Sequence, residues 1–400
     1  MSDWKDSEIG RIPSKWTVGT LEDVSQYITD GAHLSPKFVK SDYYMASVKD
    51  MRYNYFDFTE CKTISKEDFE TLARGKCSPE YGDILLSKDG ANCLDIIFVY
   101  KQKDRIVLLS SIAIARLKKE CNSDFYRYYL LSPNIQEIMR NNYVSGSAIP
   151  RVILTDFKNV PVPILPEIEQ KAISSILSSL DEKIDLLHSQ NITLEKLAET
   201  LFRQWFVEEA KEEWAIGVLS DEFDFTMGQS PLGTDLNQKG QGIIFYQGRT
   251  DFDFRFPTPR IYTTAPTRLA KPLDTLISVR APVGDMNIAF EECCLGRGLA
   301  AFRYRNNNEF YSYTYYKLRS LMEPIKQFED KGSVFGSIGK DDFKNLENIL
   351  PPEYLIEAFQ KEAKPIDDKI ISNTNQIRTL TALRDTLLPK LMSGEARVGI

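Results

Sequence analysis

The chain has 400 residues, 42% hydrophobic and 27% charged, enough apolar side chain for two or three domain cores and incompatible with a disordered or low-complexity polypeptide. No apolar run approaches the ~20 residues of a membrane span, and the charged start Met1-Ser2-Asp3-Trp4-Lys5-Asp6 lacks a signal-peptide core, so a cytoplasmic protein without a membrane partner is expected. A net charge of −7 is not the footprint of a protein that grips DNA unaided.

In chain order, residues 16–160 mix β-rich runs (83–87, 96–100 and 106–117) with a helical stretch at 124–141, the signature of an α+β region. Pro161, Pro163 and Pro166 then precede a helix whose apolar positions alternate steps of four and three: Ile173, Leu177, Leu180, Ile184, Leu187, Asn191, Leu194, Ala198, Leu201, Trp205. Residues 214–350 repeat the first pattern, with strands at 275–279 and 300–304 and a helix at 309–328. Pro351 and Pro352 open a second heptad seam of Phe359, Ala363, Ile366, Ile370, Asn373, Ile377, Leu380, Arg384, Leu387 and Leu391, closed by Pro389 to Gly394. Proline is expected to start these helices, not to sit inside them.

The resemblance between the halves is a duplication. Residues 146–205 match 332–391 at 18 of 60 positions without a gap, at an offset of 186, where unrelated chains would give roughly four. Gly146-Ser147 matches Gly332-Ser333, and Asp156-Phe157-Lys158-Asn159 matches Asp342-Phe343-Lys344-Asn345. Gly82-Asp83-Ile84-Leu85-Leu86-Ser87 echoes Leu273-Asp274-Thr275-Leu276-Ile277-Ser278. Duplicated helices leaving their own domains form each contact twice only if they run antiparallel. Centring the seam then pairs Asn191 with Asn373 in one layer, a buried amide pair that penalises slipped registers.

Chemistry-bearing motifs are scarce. There is no P-loop and no complete dinucleotide fingerprint, and Asn/Asp-Pro-Pro-aromatic, the tetrapeptide with which amino-methyltransferases hold a flipped base, is missing. His33 and His188 are the only histidines; the six cysteines (61, 77, 93, 121, 293, 294) include no Cys-x-x-Cys, so no metal, no cofactor and no catalytic residue is expected, and the thiols read as reduced and mostly buried. The acidity sits in residues 166–213 (net −6), leaving residues 1–165 and 214–351 at 0 and −1. Arginines nonetheless concentrate in the second region, Arg249, Arg280 and Arg297 among them.

Particular words in this duplicated frame carry a resemblance. Ile28-Thr29-Asp30-Gly31-Ala32-His33-Leu34-Ser35-Pro36-Lys37-Phe38 is similar to the Asp-Gly-x-His-x-Thr-Pro segment of many first domains in the specificity subunits of type I restriction-modification enzymes, with Ser35 in place of threonine. Met227-Gly228-Gln229-Ser230-Pro231, Tyr246-Gln247-Gly248, Ser278-Val279-Arg280-Ala281-Pro282-Val283-Gly284 and Gly296-Arg297-Gly298 resemble another target-recognition domain type of that family. Pro166-Glu-Ile-Glu-Gln-Lys is similar to the opening of the family's conserved helices, from which Pro352-Glu-Tyr-Leu-Ile-Glu departs.

The resemblance implies an α+β fold with target-recognition domains at 1–160 and 211–350. Conserved helices at 161–210 and 351–400 would form an antiparallel coiled coil within a pseudo-twofold repeat, with Leu180, Ile184, Leu187, Asn191 and Leu194 facing Ile366, Ile370, Asn373, Ile377 and Leu380. It implies a non-catalytic subunit that reads a bipartite site in double-stranded DNA and docks methyltransferase subunits, expected to be two. Restriction subunits would join through that core. Base reading needs matched donors and acceptors. The expected contacts are His33, Ser35, Lys37, Lys88, Asn92, Ser147 and Arg151 in the first domain. In the second they are Gln229, Ser230, Tyr246, Gln247, Arg249, Arg280 and Arg297. The alternatives are a related system that cleaves on both sides of its site, a fused modification enzyme, and a coiled-coil scaffold that binds no DNA.

Overall fold

The computed structural model describes residues 4–146, 149–280, 282–330 and 337–399. The chain divides into two compact units, residues 1–186 with 376–400 and residues 187–375. Two helices, Glu167–Arg203 and Glu353–Met392, each give one half to each unit. Both begin one residue after a proline, as expected, but the second also runs through Pro365 and Pro389. Pro365 is exposed, so the carbonyl that loses its amide partner faces water, where the loss is tolerated.

In each unit the helices run antiparallel. In the first, Ile173 and Leu177 share a core with Leu388, Leu391 and Met392, and Arg384 Nη1 meets Asp181 Oδ1 at 3.0 Å. In the second, the Phe202 and Phe359 rings lie 5.6 Å apart, and Asn373 Nδ2 donates to Asn191 Oδ1 at 2.9 Å with both residues buried. Ile173, Leu177, Ile184, Leu187 and Ile370 are buried along the seam, while Leu180, Leu194, Ile366, Ile377 and Leu380 are half-buried. Asn373→Leu should cost about 1–3 kcal/mol, because it strands the Asn191 amide against an aliphatic layer. Asn191→Leu/Asn373→Leu should recover that loss in denaturant unfolding; equal stability of single and double variants would refute the pairing.

Each unit carries the same four-stranded antiparallel sheet. In the first the order is Ser25–Asp30, Ile112–Leu117, Ile84–Ser87, Ile97–Val99; in the second it is Phe223–Met227, Leu299–Tyr304, Thr275–Ser278, Met286–Ile288. The strand Ile84–Ser87 is buried on both sides, apolar but for Ser87 at its end. The run 106–117, read as one strand, is two: the chain turns at 109–111, and Ile106–Leu108 pairs in parallel with Tyr44–Ala46. The second unit does the same with Cys293–Leu295 and Ile243–Tyr246. Pro133 splits the expected helix into Ser123–Leu131 and Pro133–Asn142, and Leu321 interrupts its counterpart between Tyr311–Ser320 and Met322–Asp330.

The echo around Gly82 and Leu273 is a shared turn, with φ of 95° and 69°, followed by acids that hold arginines of the central strand: Asp83 with Arg116, Asp274 with Arg303. A second shared device ties each unit's globular part to its helices. Asp181 accepts from Tyr128 Oη (2.7 Å) and pairs with Arg127 (3.3 Å) and Arg384. Its repeat equivalent Asp367 pairs with Arg255 at 2.6 Å. Arg255, 2% exposed, also meets Glu195 at 3.0 Å and lies 3.6 Å above the Tyr315 ring. All six cysteines are free, and burial pushes the Cys61 and Cys293 thiols up to about 12. Among the described residues no helix is long and apolar enough to cross a membrane.

Candidate nucleic-acid interface

In the second unit, glycines let strand-end loops come together. Gly228 N donates to Leu299 O (2.9 Å), and a Cβ at Gly228 would overlap the Gly296 carbonyl oxygen. Gly296 N donates to Tyr246 O (2.8 Å), and a Cβ on Gly296 or Gly298 would press on the Gln247 backbone. Val279 N donates to Gly298 O at 2.9 Å, bringing Arg280 alongside. Gln229, Ser230, Gln247, Arg249, Arg280 and Arg297 are therefore gathered at one end of the sheets, and all but the half-buried Ser230 are exposed. Ser230 Oγ accepts from Arg297 N (3.2 Å), and Arg249 Nε pairs with Asp285 Oδ2 at 2.8 Å.

Tyr246 differs from its expected place: at 1% exposure it lies beneath these loops, packed with Ile244, Leu295 and Leu299. A residue not singled out from the sequence is Asp251, 6% exposed. Its carboxylate accepts from Gln247 N (2.7 Å) and pairs with Arg260 at 2.6 Å, fixing the turn that carries Arg249. The only signal for it is an aspartate closing a Gly-Arg-Thr-Asp turn, a weak one.

In the first unit, Gly31 makes the same close approach, its Cβ position filled by the Leu108 carbonyl. Lys88, expected at the surface, is 7% exposed, and its ammonium meets Asp30 Oδ2 at 2.6 Å. His33 is exposed and reaches the same aspartate from outside, Nε2 to Oδ1 at 3.2 Å. Arg151 is exposed with Nε 3.0 Å from Asp89 Oδ1, and Val152 N donates to Lys88 O, so His33, Lys88 and Arg151 share one end of the unit. Ser35 and Lys37 are exposed further along the segment after His33. Asn92 is exposed, and its carbonyl accepts from Ser87 Oγ at 2.6 Å. Ser147, with Gly332 and Ser333 of the repeat, lies outside the described residues. No group of three or more potential metal ligands occurs among the described residues.

The chain is similar over most of its length to known proteins. Residues 13–196 match the family model of the type I restriction modification DNA specificity domain. A protein of Methanocaldococcus jannaschii assigned as the MjaX type I restriction enzyme specificity subunit is 29% identical over 99% of this chain and 97% of its own length. The HindI type I restriction enzyme specificity subunit of Haemophilus influenzae is 20% identical over 99% of this chain and 100% of its own. The crystal structure of the S subunit of a type I restriction-modification system from M. genitalium shares the fold, with a TM-score of 0.61 at 19% identity over 94% of this chain and 96% of that one.

Proposed function

We propose that this chain is a specificity subunit of the type I restriction-modification kind, each of whose units reads one half of a bipartite site in double-stranded DNA. The long helices set the distance between half-sites and dock two methyltransferase subunits; restriction subunits join through that core. The chain itself contributes recognition and no bond-breaking chemistry. The observation that carries this reading is the duplicated unit with its glycine-lined loops, on which Gln229, Gln247, Arg280 and Arg297 offer the donors and acceptors that base edges require. Both globular regions are near neutral in charge, so docked subunits must supply much of the phosphate contact.

The test is co-expression with the cognate methyltransferase subunits in a host without DNA methylation, followed by genome-wide mapping of modified bases. A split motif is expected; a contiguous motif, or none, would overturn the reading. Arg280→Ala should relax one half of the motif only, by about 1–3 kcal/mol for a lost bidentate contact. Equal loosening of both halves would remove Arg280 from the assignment.

A further inference from the structure

We propose that the first unit reads its half-site through Ser47, Lys49, Asp89 and Ser110, which occupy the places held in the second unit by Gln247, Thr250, Arg280 and Arg297. The proposal rests on the DNA-reading function argued above. It goes beyond the sequence words, because residues 47–50 and 109–111 contain no glycine where their counterparts carry Gly248, Gly296 and Gly298.

The equivalence is a matter of backbone hydrogen bonds. Gly31 N donates to Ile112 O (3.2 Å) as Gly228 N does to Leu299 O (2.9 Å). Ala32 N donates to Leu108 O (2.7 Å) as Gln229 N does to Leu295 O (2.9 Å). Leu108 and Leu295 each end the strand that runs parallel to a neighbour, and three residues separate them from Ile112 and Leu299. Ser110 therefore stands where Arg297 stands. Lys88 N bonds Ser111 O (2.8 Å) as Val279 N bonds Gly298 O (2.9 Å), which puts Asp89 in the place of Arg280. The strand opposite agrees: Asp89 bridges Arg151, and Arg280 bridges Ser337. Finally, Leu109 N donates to Ala46 O as Gly296 N does to Tyr246 O, both at 2.8 Å, which puts Ser47 where Gln247 stands; a single 3₁₀ turn follows in each unit, Val48–Asp50 or Arg249–Asp251, and sets Lys49 in the place of Thr250.

The same scaffold thus presents opposite chemistry. Arg280 offers donors, suited to the two acceptors of guanine in the major groove. Asp89 offers acceptors, held in place by Arg151 Nε at 3.0 Å, and suits a base that presents an amino group there, cytosine or adenine. Lys49 is an exposed cation on the Val48–Asp50 turn; Ser47 and Ser110 are half-buried hydroxyls. The half-site read by the first unit should therefore require an amino-bearing base where the other half requires guanine.

The test uses the full chain co-expressed with its methyltransferase subunits, comparing the modified motif of wild type with those of Asp89→Asn, Lys49→Ala and Arg280→Ala. Asp89→Asn is expected to relax one position about tenfold, and Lys49→Ala to weaken the same half, in the half-site that Arg280→Ala leaves intact. If Arg280→Ala relaxes one half while Lys49→Ala and Asp89→Asn leave the motif unchanged, the proposal is wrong and the DNA-reading function stands. A wild-type chain that yields no split motif removes both. Lys49 projects into solvent, so its variant folds regardless of Asp89→Asn, and an unchanged motif for it alone is decisive.

Discussion

Arg255→Ala is expected to cost the second unit about 3–5 kcal/mol in denaturant unfolding, the loss typical of breaking one side of a buried ion cluster. The guanidinium is buried between Glu195 and Asp367 and stacked on Tyr315. Its removal leaves carboxylates in an apolar setting with little water to replace it. The deficit should depend on pH. Burial already pushes the Asp367 carboxyl above the ordinary carboxylate range, and Arg255 is what pulls it back. In the variant the folded carboxyl rises further above its unfolded value, so the folded state binds more protons than the unfolded one. Stability is then regained as pH falls from neutral toward the carboxylate range. A deficit that stays constant from about pH 7 to pH 5 would contradict this account.

Asp181→Ala should be comparably damaging in the first unit, about 3–5 kcal/mol, because it strands the buried Arg127 guanidinium and the Tyr128 hydroxyl and releases Arg384. Asp181→Asn keeps an acceptor for Tyr128 but no charge, so it should fall between alanine and wild type. Hydrogen exchange separates the effect by region. Amides of Ile112–Leu117 and Ile84–Ser87 are expected to lose protection, while those of Leu299–Tyr304 keep theirs. Uniform loss in both sheets would mean that Asp181 acts on the whole chain.

How much of this was legible in the amino-acid order depends on the range of the interaction concerned. The long helices announce themselves because one apolar stripe recurs for many turns, and the antiparallel register followed from the offset of the repeat. The turn at 109–111 was invisible: Leu108-Leu109-Ser110-Ser111-Ile112 contains no turn-forming glycine or proline, whereas its counterpart reads Gly296-Arg297-Gly298. The second unit's loops were readable for that same reason, since close backbone approach demanded glycine. Lys88 and Tyr246 went inside because their partners, Asp30 and the strand of Leu295, lie far away along the chain. Local pattern carries no record of such pairings. The clamps at Asp181 and Asp367 were open to suspicion, as an aspartate shared by both repeats directly after the seam positions Leu180 and Ile366.

The Asn191–Asn373 pair bears on how a duplicated chain recognises itself. Each unit is completed by a half-helix from the other repeat, so a single repeat would have exposed apolar seams and a ready partner in any second copy. In such a pairing of like with like, the same register would set Asn191 against Leu187, and Asn373 against Ile377, because those are the residues at the repeat-equivalent places. Every amide would then be buried without its complement, at about 1–3 kcal/mol each. Only two unlike repeats satisfy both asparagines. Two residues thus favour one chain folding upon itself over two chains exchanging halves, and so keep the two reading heads of a complex different from each other.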